Sequence, residues 1–235
     1  MDDIFAAIAR DTINFGPTDD VKWRDMYTPL YPPVPEDISV YRDQRYGPAE
    51  RNLLDVFVPS GDGTEKPVLV YIHGGGFFSG DKQWNERVYS NVGYHFAQKE
   101  TITVVANHRL VPDVQYPGGA DDMQLIRQWV FDNISSHKFG RGSTQKVFLF
   151  GHSSGGAHLC MNLFAAGDKQ RAPQEPLSPP VAGLILIDVP FWYDRRKPVR
   201  AKTLRNYYGS DEEDVWGPKS ALGLFESLPD ESPVL

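Results

Sequence analysis

A chain of 235 residues that is 40% hydrophobic and 12% aromatic can bury one sizeable core, so a single domain is the default. Its 31 acidic residues outnumber 24 basic ones, for a net charge of −7, and no basic stripe marks a nucleic-acid binder. No run approaches the ~18 apolar residues of a membrane span, and Met1-Asp2-Asp3 opens without the basic and apolar regions of a signal peptide. The single cysteine, Cys160, permits no intrachain disulfide, so the expectation is a soluble, cytoplasmic protein with Cys160 as a small core residue.

Ile4, Phe5, Ile8 and Ile13 predict a short amphipathic helix. Residues 16–37 mix Pro and Asp with Trp23, Tyr27 and Tyr31, which reads either as an irregular arm or as part of a cap over a pocket. The division falls there, with an N-terminal arm or cap at 1–37 and the main domain at 38–235. Residues 38–46 and 53–58 predict two strands joined by the turn Gly47-Pro48-Ala49-Glu50. Residues 67–72 form a continuous apolar run, as in a strand buried on both faces. Residues 86–98 predict a helix with Val88, Val92 and Phe96 on one side, and 102–106 the next buried strand. After a Pro-bounded loop, Met123, Ile126 and Val130 line one face of a helix. Residues 147–150 read as a strand, a helix runs on to about Ala166, and 181–187 is another wholly apolar strand. Arg195-Arg196-Lys197, with Arg200 and Lys202, reads as a solvated loop, and 211–214 as a solvated acidic turn. Strands alternating with helices imply the α/β class, a mainly parallel doubly wound sheet in three layers with an antiparallel opening hairpin.

The chemistry concentrates where the 147–150 strand runs into Gly151-His152-Ser153-Ser154-Gly155. This fits G-x-S-x-G, a sharp strand-to-helix turn that exposes a serine at its tip. Side chains on its flanks would collide with the neighbouring strand or helix, hence the glycines. The following helix points its N-terminus, with free N–H groups, at the same spot. An ordinary strand-to-helix turn is the competing reading, and a second motif decides against it. His73-Gly74-Gly75-Gly76 directly follows the 67–72 strand. Glycines there let backbone N–H groups turn inward, which acyl transfer needs as negative charge develops on a carbonyl oxygen. One donor is expected from the Gly74-Gly75 region and another from the N–H of Ser154. The alternative, a phosphate-binding loop, lacks its Gly-Lys-Ser/Thr.

With both motifs in this order, the chain resembles the α/β-hydrolase superfamily, and within it the hormone-sensitive-lipase-like carboxylesterases and the kynurenine formamidases. Tyr46-Gly47-Pro48 through Leu54-Asp55-Val56-Phe57-Val58-Pro59 is similar to their opening hairpin. Asn107-His108-Arg109-Leu110-Val111-Pro112 resembles their Tyr-Arg-Leu-Ala-Pro segment, and 117–122 the start of their next helix. Arg109 with Asp121 or Asp122 is expected as a structural ion pair. The resemblance spans roughly 41–188. It implies a serine hydrolase in which Ser153 attacks the carbonyl of a small-molecule ester or amide. Gly74, Gly75 and Ser154 then form the oxyanion hole, and His73, Gly76, Phe77, His152 and Gly155 line the site. Phe77-Phe78 and the aromatic arm hint at an apolar acyl pocket. No cofactor is needed for this chemistry, and no cluster at metal-ligand spacing is present.

One part of the pattern is missing. The superfamily order is serine, acid, histidine, yet the histidines are His73, His95, His108, His137, His152 and His158. His158 sits on the elbow helix and cannot easily reach back to Ser153, and Asp188 is only a fallback acid. Residues 228–235 look like the lead-in to a further core strand. The expectation is therefore a hydrolase incomplete at its C-terminus, with its acid and histidine beyond Leu235, weak turnover, and an exposed apolar sheet edge. Two other readings stay open: a non-catalytic ligand-binding protein on the same scaffold, as in the gibberellin receptors, and a regulatory or dimerising fragment whose sheet edge pairs with a partner. Ester against formamide stays open too, as does oligomeric state.

Overall fold

The structure is a computed structural model that describes residues 1–11, 16, 19–170, 178–194, 196, 198–230 and 232. Two helices, α1 (Asp2–Asp11) and α2 (Asp19–Tyr27), precede the sheet. α1 forms where Ile4, Phe5 and Ile8 predict it, but it buries none of its residues; Ile13 lies outside the described residues. α2 replaces the irregular chain that was one expectation for this segment.

Six strands follow: β1 (Ser39–Arg45), β2 (Leu53–Val58), β3 (Lys66–Ile72), β4 (Ile102–Ala106), β5 (Gly142–His152) and β6 (Gly183–Ile187). They form one sheet in the order β1-β2-β4-β3-β5-β6. β1 pairs with β2 and β2 with β4 in antiparallel fashion, and β3, β4, β5 and β6 run parallel. Between them lie α3 (Ser90–Ala97), α4 (Gly118–Asn133) and α5 (Ser154–Leu163). After β6 come α6 (Pro198–Tyr208), α7 (Glu213–Trp216) and α8 (Ala221–Glu226).

Period-two alternation along the strands divides the apolar residues between two faces. Val56, Val70, Val104 and Leu149 are fully buried in the larger core, which also holds Ile126 of α4, Leu159 of α5, Tyr207 of α6 and Trp216 of α7. Phe57 and Val105 face the other side, against Tyr94 and Ala97 of α3. Each such aliphatic side chain contributes about 1.5–3 kcal/mol on burial, so the central strands hold the sheet with little help from its margins.

Three local expectations are corrected. The helix read over 86–98 begins only at Ser90. The Asn85 side chain takes the N–H groups of Arg87 and Val88, and Tyr89 then adopts φ 70°, which no helix continues through. Its buried face is Ser90, Gly93, Tyr94 and Ala97, not a Val92–Phe96 stripe. The acidic stretch at 211–214 is partly α7, and Trp216 at its end is fully buried. The apolar 181–187 run is a shorter strand at the sheet margin, with Ile185 41% and Ile187 49% exposed. Arg195 and Lys197 lie outside the described residues, as do 231 and 233–235, and no strand forms at 228–230. Among the described residues no helix is long and apolar enough to cross a membrane.

Candidate active site

β5 ends at His152 and α5 begins at Ser154, so Ser153 is left alone at the turn with φ 49° and ψ −123°. A non-glycine residue there costs about 1–3 kcal/mol and persists only when its surroundings over-determine it. Two bonds do so: the Ser153 N–H donates to the Ile187 carbonyl at 2.9 Å, and the Ser153 carbonyl accepts from the Ala157 N–H at 3.1 Å. The turn is thus tied to the end of β6 on one side and to α5 on the other. Ser154, as the first helical residue, has an N–H with no intrahelical acceptor.

The glycine loop after β3 meets this turn directly. A Cβ on Gly74 would lie 2.9 Å from Cβ of Ser153 and 2.9 Å from Nδ1 of His152, so only glycine lets the two backbones approach this closely. Gly75 has φ +136°, and a Cβ there would overlap the Ser79 carbonyl. Its own carbonyl accepts from Ser79 N–H at 3.0 Å and Ser79 Oγ at 2.9 Å, which closes residues 75–79 into a tight turn. A cavity of about 260 Å³ opens beside the loop, lined among others by Gly74, Gly75, Tyr71, Tyr89 and His152. Arg24 of α2 also lines it. The Arg24 guanidinium lies 4.5 Å from the ring centre of Trp84 and 5.5 Å from that of Tyr89. Thr28 Oγ1 accepts from Asn85 Nδ2 at 3.3 Å, so the arm is fastened to the loop that walls the cavity.

His73 is buried at the root of the loop, with Nδ1 2.8 Å from the Gly74 carbonyl and Nε2 3.2 Å from Oδ1 of Asn107. Asn107 is fixed in turn: Oδ1 accepts from the Lys82 N–H at 2.6 Å, and Nδ2 donates to Asp81 at 3.2 Å. Burial, and then the neighbouring His108, push His73 down to about 3, so its ring is neutral. The His73 ring stacks on His108 at 4.5 Å, and His108 meets His158 at 4.7 Å. Burial lowers His108 as well, and lowers His158 well below the usual histidine value. His158 also lies 3.2 Å from the Tyr207 hydroxyl through Nδ1. Three neutral imidazoles therefore form a column beneath the glycine loop, tying the ends of β3 and β4 to α5.

The structure thus brings Ser153, Ser154, Gly74, Gly75, His73 and His152 together, with Gly155 packed under the His73 carbonyl. Phe77 is turned away: it is 2% exposed and stacks on Tyr207 at 4.6 Å, so it is core beneath the loop and not a lining residue. Phe78 is 53% exposed, and Gly76 is not among the residues lining the cavity. None of the six histidines is hydrogen-bonded to Ser153, and Asp188, exposed at φ 56° after β6, bonds to none of them. The ion pair expected for Arg109 falls on Asp122, which takes its backbone N–H at 2.9 Å and its Nε at 2.9 Å. Arg24 and the histidine column were not legible in the sequence, because α2 and the ends of three elements meet only in the fold.

A strained serine at the β5–α5 turn, a glycine loop after β3 that touches it, and this strand order define a carboxylesterase-like α/β-hydrolase. Esterase B from Lactobacillus rhamnosis has the same fold, with a TM-score of 0.68 over 97% of this chain and 73% of that one at 19% identity. The chain belongs to the BD-FAE family, whose model matches residues 54–175. Among curated relatives, acetylcholinesterase of Electrophorus electricus is 33% identical over 177 residues, 69% of this chain and 26% of that protein. Probable carboxylesterase 3 of Arabidopsis thaliana is 24% identical over 204 residues, 81% of this chain and 61% of that protein. The chain thus spans between about a quarter and three fifths of these relatives' length.

Proposed function

We propose that this chain carries the acyl-transfer centre of a carboxylic ester hydrolase, with Ser153 as nucleophile. The observation that carries this is the approach of Gly74 to Ser153, 2.9 Å from Cβ to the site of a Cβ, beside the free N–H end of α5. An oxygen developing charge at that point would meet N–H groups of the Gly74–Gly75 loop and of Ser154, preorganised by the backbone. The pocket beside it suits a small ester, and aryl formamides, which react through the same tetrahedral intermediate, share the site. Residues 1–37 serve as a cap through Arg24. No histidine bonded to Ser153 means slow proton removal, so turnover by this chain is slow.

The test is p-nitrophenyl butyrate hydrolysis with and without added imidazole, which supplies the missing base. Release of p-nitrophenol above the protein-free imidazole background, rising with imidazole in the wild type and lost in Ser153→Ala, is the expected result. Equal release by the two proteins would sink the proposal. The absence of a bonded histidine also favours the ligand-binding reading, in which butyrate binds saturably and imidazole accelerates nothing.

A further inference from the structure

A second cavity, of about 170 Å³, lies between the chain after α2 and the outer face of α3. It shares no lining residue with the cavity beside the glycine loop. Its two walls differ in chemistry. Tyr31, Pro32, Pro33 and Pro35 supply one, which is flat, apolar and pre-stiffened by proline. The other comes from one stripe of α3: Asn91, His95 and Gln98, with Arg87 one turn earlier. The Arg87 carbonyl accepts from the Asn91 N–H at 3.0 Å, so Arg87 stands in line with the helix although it precedes it. Tyr94, 8% exposed, lies among the lining residues between the two walls.

The charge here is anomalous. The chain carries −7 overall, yet among the described residues no carboxylate lines this cavity, and the one permanent charge on its walls is the Arg87 guanidinium. Among the described residues Arg87 has no carboxylate within ion-pair distance, unlike Arg42, which reaches Tyr94 of α3 and pairs with Asp55. A half-buried guanidinium offers a planar fork of donors that matches a carboxylate in two parallel bonds. Asn91 and Gln98 add amide donors beside it. Proline and tyrosine faces opposite favour a flat ring over an aliphatic chain. At ~30 Å³ per water the space holds on the order of five waters, the scale of a single-ring acid and too small for a nucleotide.

We propose that this cavity is a binding site for a small aromatic carboxylate, held by Arg87 at its acid group and by the Tyr31–Pro35 wall at its ring. The site is separate from Ser153, and the proposal stands whether or not the ester-hydrolase reading does. The probe is benzoate, with benzamide as its uncharged counterpart, followed by titration calorimetry on the full chain. Benzoate binds the wild type with an affinity at least ten-fold above benzamide, and Arg87→Gln removes that advantage while the thermal melt is unchanged. Tyr31→Ala weakens both probes about equally, since it removes stacking and not charge. Arg24→Ala, at the serine-side cavity, leaves benzoate binding intact. The proposal is overturned if benzoate fails to bind at millimolar concentration, if benzamide binds as well, or if Arg24→Ala in place of Arg87→Gln abolishes binding, which would put the acid at the serine.

Discussion

Lowering the pH from 7.5 to 5.5 removes folding stability, about 1.4 kcal/mol of it through His73 alone, and the loss traces to the three histidines beneath the glycine loop. His73, His108 and His158 are 5%, 0% and 0% exposed. Burial holds each below its ordinary value of 6.5: His73 at about 3, His108 lowered, and His158 well below. The unfolded chain takes up a proton at each ring near 6.5, whereas the native chain does not. The stability they contribute is therefore complete above 6.5 and drains as pH falls from 6.5 toward the folded values. One unit below 6.5, a ring that stays neutral costs RT ln 11, about 1.4 kcal/mol; His73 does so, and His108 and His158 add to the loss in the same direction. Against a typical total of 5–15 kcal/mol the His73 share alone is measurable. Urea denaturation at pH 7.5, 6.5 and 5.5 reads it directly, as a falling midpoint at constant m. His158→Phe keeps a ring against Phe77 and Tyr207 and reduces the slope. An unchanged midpoint between pH 7.5 and 5.5 would refute the reasoning, since it requires the rings to be solvated or already paired with carboxylates.

Gly74→Ala lowers Ser153-dependent p-nitrophenol release about 100-fold with little change in the melt, because the new methyl forces the loop off Ser153 by a fraction of an ångström at the point where donors must be aimed. Activity at the wild-type level would show that the loop does not serve the serine. Arg24→Ala raises KM several-fold at constant kcat, a change of about 1 kcal/mol in keeping with a partly exposed cation over two aromatic rings; an unchanged KM removes the arm from the pocket. Asp122→Asn costs about 2–3 kcal/mol in urea denaturation, because the fully buried carboxylate accepts from Arg109 and from Asn52 at 3.2 Å. A loss below 0.5 kcal/mol would mean the ion pair is solvated.

How far the sequence could be read depended on whether the deciding contacts were local. β2 and β4 form over the residues expected of them, since β-branched, mostly apolar runs such as Ile102-Thr103-Val104-Val105-Ala106 are buried on both faces. The Met123, Ile126 and Val130 stripe likewise lies inward on α4. By the same rule 181–187 reads as another wholly apolar strand, yet β6 is marginal: an apolar run records what a strand can bury, not what is there to bury it. α2 was missed because Asp19-Asp20-Val21-Lys22-Trp23 has no apolar period to read. The turn at 86–89 was missed because Asn85 ends it through side-chain bonds to backbone, a competition invisible to hydrophobic spacing. At the site, the serine turn and the glycine loop are each a contiguous motif, but their mutual approach belongs to the β3–β5 pairing of Ile72 with Gly151.

That pairing explains why the centre needs so few residues. Ile72 and Gly151 stand side by side in a parallel pair, so the loops leaving β3 and β5 emerge on the same side of the sheet and one residue apart in register. The serine must then be presented by a backbone turn, because a longer loop would carry it past Gly74. The turn is costly, and its restraints come from both neighbours of β5: Gly74 after β3 excludes outward motion, and Ile187 of β6 holds the Ser153 N–H. The second restraint sits on a strand whose Ile185 and Ile187 are 41% and 49% exposed, the less buried side of the sheet. The backbone at Ser153 is thus anchored through the core at β3 and through the margin at β6. Changes at β6 therefore reach Ser153 through the β5–β6 ladder that ends at the Ile187–Ser153 hydrogen bond, whereas changes at β3 reach it through the packing of Gly74.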